Sequence, residues 1–233
     1  MEVKGFKELK KTFELNKKDN KNKDIPQVIV VGRSNVGKST LVRLITKKKV
    51  RVGKKPGVTL KINKYPMGNY ILVDLPGFGF MSGIDEKIQN NIKDEIIRYI
   101  ENNAENIVCS ILLIDGKAFP EIVDRWDNRN EIPIDIEMFD FLNELELNPI
   151  LFINKMDKIK RNKWDEQLDN IVELFGFPPP WRQWLDRLIV GSLKNGIGLR
   201  EVLMRINEYT SKYIKNRKNK KKIKIKKSKK ITK

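Results

Sequence analysis

Long apolar runs are missing from this 233-residue chain. None approaches the roughly 20 consecutive apolar residues that a membrane-crossing helix needs, so no integral membrane segment is expected. The opening MEVKGFKELKKTF holds no continuous apolar core of the secretory kind. Glu2 stands where N-myristoylation requires glycine, and the closing KKITK offers no cysteine for prenylation. Cysteine itself is nearly absent. Cys109 alone, inside the run IVCSILLI, can form no intrachain disulfide and reads as a small buried hydrophobe. Together these absences predict a cytoplasmic, reducing setting. Acidic residues and aromatics are missing from 215–233, where 12 residues are Lys or Arg. That composition excludes an independently folding segment and any stacking platform for bases.

What remains is ordinary for a single folded domain. Hydrophobic residues make up 39% of the chain, enough for a core at this length. The net charge of +18 is concentrated at the C-terminus, which leaves the body only mildly basic. Three units are expected: a polar extension over 1–24, in which Phe6, Leu9 and Phe13 have helical spacing; a globular domain over 25–214; and a disordered, Lys-rich tail over 215–233. Within the middle unit, short apolar runs (QVIVV, YILVDL, NIVCSILLID, PILFIN, RLIVGS) alternate with segments of helical spacing. Such alternation predicts an α/β fold of about six strands, mostly parallel, with helices on both faces. The stretch LKINKYPMGNYILVDL adds one antiparallel hairpin with MGN at its turn.

GRSNVGKS follows the first buried run and opens a helical segment, fitting the phosphate-loop pattern G-x-x-x-x-G-K-[ST]. In such a loop the backbone N–H groups of Gly32, Arg33, Ser34, Asn35, Val36, Gly37, Lys38, Ser39 and Thr40 converge on phosphate oxygens. The helix N-terminus adds its positive end. Lys38 reaches the β- and γ-phosphates and the Ser39 hydroxyl binds Mg²⁺. The site therefore holds a nucleoside triphosphate, GTP or GDP by the next motif. NKMD ends the strand PILFI, where ligands of open α/β sheets bind. There the Asp157 carboxylate can take both N1–H and the 2-amino group of guanine, which adenine does not present. Asn154 can bond the purine N7 and O6 edge, and the Lys155 stem can cover the ring, with Met156 between them. In DLPG, Asp74 is placed to hold the metal through water and the Gly77 N–H to touch the γ-phosphate, with Leu75 and Pro76 shaping the turn. The only Ser or Thr between Thr46 and Asp74 is Thr59, so Thr59 is assigned by elimination to complete the metal shell, with Gly57 and Val58 beside it in the nucleotide-binding loop. Last, Gly191, Ser192 and Leu193 end the strand RLIV, with the Leu193 backbone aimed at guanine O6.

Taken together, GRSNVGKST, PGVT, DLPGFG, NKMD and GSLK resemble the EngB family of GTP-binding proteins over about residues 25–210. The resemblance implies a P-loop GTPase domain with a six-stranded mixed sheet, Mg²⁺-dependent hydrolysis of GTP to GDP and phosphate, and a role in assembly of the large ribosomal subunit. It also implies an indirect cell-division or septation defect when the protein fails. The sequence departs from the usual pattern in carrying Asn154 where many members have Thr, in a longer segment over 118–135, and in the extent of its tail.

Many regulatory GTPases place a water-orienting Gln after D-x-x-G; here that residue is Phe78. Slow intrinsic turnover follows whether Phe78 packs into the core or lines the site, and Lys38, Thr59 and Gly77 remain the groups nearest the chemistry. In some related GTPases an Asn at the position of Asn35 helps hold K⁺; a residue that tolerates the loop's backbone angles is the alternative. The tail predicts a polyanionic partner, which the resemblance implies to be ribosomal RNA or a pre-ribosomal large subunit, and a monomer is expected. The competing reading is a membrane-surface or signalling GTPase whose tail binds anionic lipid, disfavoured by the lack of a second anchor. Trp181 and Trp184 read as packing on the domain's own edge or as a partner-facing patch.

Overall fold

The computed structural model describes residues 25–47, 61–79 and 85–231. Chain order runs β1 (Gln27–Gly32), α1 (Lys38–Thr46), β2 (Asn63–Pro66), β3 (Ile71–Asp74), α2 (Glu86–Asn103), β4 (Ile107–Asp115), α3 (Phe119–Asp127), α4 (Ile134–Glu144), β5 (Pro149–Asn154), α5 (Trp164–Leu174), β6 (Leu188–Val190) and α6 (Leu199–Ile231). The strands form one six-stranded sheet in the order β2-β3-β1-β4-β5-β6. All neighbours pair in parallel except β2 with β3. The expected hairpin is present, closed by Met67 N–H donating to the Tyr70 carbonyl at 2.8 Å across Gly68.

A sheet covered on both faces needs strands that are apolar on both sides, and every residue of β1 is buried. Val28 and Val30 face a layer with Leu41, Val42 and Ile45 of α1 and Val202 and Ile206 of α6. Ile29 and Val31 face the opposite layer, built by α2, α3, α4 and α5. Each fully buried side chain of this size is worth about 1.5–3 kcal/mol of burial. The alternation along β4 slips at Val108 and Cys109, both of which face the α1–α6 layer. The pairing register to β1 jumps there, from Gln27↔Ile107 to Val28↔Cys109, as a bulge requires. Cys109 is fully buried as expected, and desolvation pushes its thiol up to about 12, so it is chemically inert.

Trp181 and Trp184 pack on the α2–α5 layer, with Trp184 against Phe177 at 4.8 Å between ring centres. They dress the domain's own edge. The 118–135 segment forms α3 and the approach to α4. The polar extension over 1–24, with the helical spacing of Phe6, Leu9 and Phe13, lies outside the described residues.

The tail differs from expectation: the last helix continues from Leu199 to Ile231 through the Lys-rich stretch. Its first half is anchored by buried Val202, Ile206 and Thr210. Once a helix is nucleated by packing, each further residue adds a hydrogen bond at little cost. Lys is a good helix former, and no Gly or Pro interrupts 199–231.

Candidate functional site

The sheet changes winding direction at β1, whose neighbours β3 and β4 lead the chain to opposite sides. Ligands of open α/β sheets lie outside the strand C-termini at such a point, and every described motif residue stands there. After Gly32 the backbone turns through Asn35 (φ 65°) and Gly37 (φ 118°) into α1, whose first turn carries no acidic residue. A Cβ on Gly37 would sit 2.4 Å from the Asn154 side-chain nitrogen, so close approach as well as φ demands glycine here.

Lys38 is buried and its Nζ donates to the carbonyls of Gly32 and Arg33, both at 2.8 Å. Desolvation lowers its pKa to about 8, against the opposing pull of Asp74 and Asp135. Asp74, at the end of β3, is 1% exposed, and neither carboxylate oxygen has a hydrogen-bond partner among the described residues. Burial raises its pKa to about 6, while the nearby Lys38 charge works the other way. An unpartnered buried carboxylate is costly unless something cationic meets it. Among the described residues no group of three or more acidic, Cys or His side chains gathers for a metal. One carboxylate beside a hydroxyl and a phosphate cradle suits Mg²⁺, which keeps its waters and leans on substrate phosphates. Ser39 lies in the first turn of α1, beside that cradle.

The DLPG turn lies directly on the phosphate loop. Ser34 N–H donates to the Phe78 carbonyl at 3.1 Å, and Arg33 bridges Phe78 in parallel. A Cβ on Gly77 would be 3.0 Å from Lys38 Nζ and 3.1 Å from Ser34, so any side chain here would have to push the loop aside by a few tenths of an ångström. The ring of Phe78 is 2% exposed and belongs to the core, which resolves the two readings of that residue in favour of packing.

On the base side, the Ser192 hydroxyl donates to Asp157 Oδ1 at 2.6 Å, orienting a carboxylate that is otherwise exposed. Lys155 (φ 64°) extends its Nζ to Asp115 Oδ2 at 2.7 Å. Asp115 was not anticipated as part of the site; it ends β4, forty residues from its partner. Asn154 has a structural part beside the one expected at the purine edge. Its Nδ2 donates to the Val36 carbonyl at 2.7 Å and its Oδ1 accepts from Leu193 N–H at 3.0 Å. Both its amide atoms brace the phosphate loop against the Gly191–Leu193 turn, and the Leu193 N–H expected at guanine O6 points to Asn154. Met156 is buried and ties that turn down, its N–H donating to the Gly191 carbonyl at 3.1 Å. Gly57, Val58 and Thr59 lie outside the described residues.

The described motifs thus gather at the C-terminal ends of the strands, with the GRSNVGKS loop and the GSLK turn joined through Asn154. A family model described as "50S ribosome-binding GTPase" matches residues 27–155. The chain is 66% identical over 216 residues to the "Probable GTP-binding protein EngB" of Methanococcus aeolicus, spanning 91% of this chain and 93% of that one. The protein of the same name from Methanopyrus kandleri is 51% identical over 191 residues, spanning 81% and 94%. A solved structure named "Crystal structure of a probable GTP-binding protein engB" aligns with a TM-score of 0.71 at 45% identity, covering 80% of this chain and 99% of that chain. The Era protein of Aquifex aeolicus bound to GDP and AlF4⁻ shares the fold, with a TM-score of 0.56 at 22% identity over 80% of this chain and 57% of that one.

Proposed function

The chain belongs to the EngB family of GTP-binding proteins and hydrolyses GTP; from that premise we propose a Mg²⁺-dependent switch acting in the cytoplasm, as a monomer, on a pre-ribosomal large subunit. The observation that carries the metal and triphosphate part is the pair of desolvated charges at the seam of the two loops. Among the described residues the Asp74 carboxylate has no hydrogen-bond partner and the Lys38 ammonium meets only main-chain carbonyls, and Mg²⁺ with a γ-phosphate would give each a counter-charge. When bound, the metal neutralises developing charge on the β- and γ-oxygens. Ser39, Thr59 and, through water, Asp74 would hold it. Lys38 and the Gly77 N–H bind the γ-phosphate, while Asp157 selects guanine.

Phe78 cannot orient a water, because its ring is committed to the core. Purified protein in NaCl is therefore expected to turn over well below one GTP per second. Asn35, exposed on the loop, is proposed to help hold K⁺ against the phosphates. Replacing NaCl by KCl at equal ionic strength should then raise turnover at least fivefold; equal rates in the two salts would remove Asn35 from that role.

Support for a ribosomal partner is the family model's description together with the cationic helix end. About eight phosphate contacts by such an element would cost roughly 10³–10⁵ in affinity between 50 and 200 mM salt. Removing 215–233 should weaken co-sedimentation with large-subunit particles at least tenfold at 100 mM salt, with GDP affinity unchanged. Particle binding that survives the deletion, or transfer of the protein to anionic liposomes in preference to particles, would count against the ribosomal reading.

A further inference from the structure

We propose that Arg33 is a positioning residue: its guanidinium, held by Asp135, fixes the seam between the phosphate loop and the DLPG turn and so sets the preference for GTP over GDP. Arg33 is the second residue of GRSNVGKS, and its main chain touches both sides of that seam. Its carbonyl accepts from Lys38 Nζ at 2.8 Å. Its strand-like bridge to Phe78 fixes the residue that follows Gly77.

The side chain is anchored away from the phosphates. Arg33 Nε donates to Asp135 Oδ2, 102 residues along the chain, and the two side chains are only 13% and 1% exposed. The guanidinium carbon lies 5.5 Å from the centre of the Trp126 ring. On its other side Gly79 (φ 86°) leaves the space, since a Cβ there would come within 2.8 Å of Arg33 Nη1. Arg33 Nη2 is buried with no hydrogen-bond partner among the described residues. One guanidinium therefore joins the phosphate loop, the turn after Gly77 and the 118–135 segment that distinguishes this sequence.

The plain alternative is a buried ion pair that merely secures the start of α4. Such pairs add little to stability, because desolvation offsets much of their attraction and apolar substitutes often serve as well. Arg33 differs from such a pin in where its main chain sits: its carbonyl accepts from Lys38 Nζ and its bridge fixes Phe78, next to Gly77. GDP is held by the loop's N–H groups and Lys38 around its α- and β-phosphates, whereas a γ-phosphate must also be met by the Gly77 N–H across the seam. A shift of the seam should therefore tell on GTP and spare GDP.

The inference rests on the GTPase reading above, and its test separates the two. The full chain is titrated calorimetrically with Mg·GDP and with a non-hydrolysable Mg·GTP analogue, as wild type, Asp135→Asn, Arg33→Lys and the double variant. The analogue-to-GDP affinity ratio is expected to fall at least tenfold in each single variant, with the GDP affinity of Asp135→Asn kept within threefold. The double variant should lose no more than the worse single one, as partners in one contact do. Analogue and GDP weakening in step, or an unchanged ratio, would leave only a structural pin and overturn the proposal. Wild-type protein that binds neither nucleotide would overturn the GTPase reading and this inference with it. Should Asp135→Asn not fold, Trp126→Leu decides: it removes the ring over the guanidinium, and a ratio that falls threefold supports the proposal while an unchanged one refutes it.

Discussion

Asp157→Asn is expected to lower GTP and GDP affinity by about 10²–10⁴-fold and to open the pocket to xanthine nucleotides. The wild-type carboxylate accepts two hydrogen bonds, from guanine N1–H and from the 2-amino group. Hydrogen bonds to a charged group are each worth about 1.5–3 kcal/mol, so losing one, weakening the other by removing the charge and leaving a donor unpaired give the stated range. An amide in the same place turns one acceptor into a donor facing a donor. Xanthine carries a carbonyl at that position and restores the match, as a polar pocket favours whichever ligand leaves none of its groups unpaired. Ser192 holds Oδ1 at 2.6 Å, so the carboxylate is already oriented before the base arrives. Asn154, braced by Val36 and Leu193, keeps a second N–H for the purine edge, whereas Asp157 alone can take both N1–H and the 2-amino group. Calorimetry with GDP, XDP and ADP on both proteins measures the effect. A variant that keeps wild-type affinity for GDP, or still rejects XDP, would remove Asp157 as the reader of the base.

Local signals proved legible and distant pairings did not. The phosphate loop could be read because glycine spacing, a doubly buried strand and a helix start all fall within one short stretch. The β2–β3 hairpin was equally local. Asn154 marks the limit. Its residue type and place after β5 were visible, yet the atoms it engages lie on Val36 and Leu193, 118 and 39 residues away. The same holds for Arg33 with Asp135 and for Lys155 with Asp115, where no linear spacing announces the pair. The 118–135 segment reads as a polar connection, and only the fold shows that it ends by burying a carboxylate against the phosphate loop. The tail misled for another reason. Net charge and low apolar content argue for disorder when a segment is judged alone. This one is continued from a docked helix, whose packing has already met the cost of nucleation.

Asp74→Asn is expected to stabilise the protein free of metal and nucleotide while removing most of its activity. Burial lifts the Asp74 pKa from 3.8 to about 6. The folded state therefore holds this proton more tightly than the unfolded chain does. Stability linked to the group is fully present below about pH 4 and is lost as pH rises through about 6. At pH 8 the wild type carries the whole penalty. At about 1.4 kcal/mol per unit this comes to about 2–3 kcal/mol, part of which the variant forgoes by depriving Lys38 of a nearby anion. Urea unfolding at pH 8 without Mg²⁺ should show the variant more stable by about 2 kcal/mol, and at pH 4.5 the gain should shrink to about 1 kcal/mol or less. The chain has no histidine to add its own titration to that window. With Mg²⁺ and GTP present the order should reverse, because the neutral amide binds metal-held water weakly, and hydrolysis should fall at least 10²-fold. A variant less stable than wild type at pH 8, or equally stabilised at both pH values, would show that Asp74 is not a charge held in waiting. The buried carboxylate is a stability cost kept for function, of the kind active sites retain because activity depends on it.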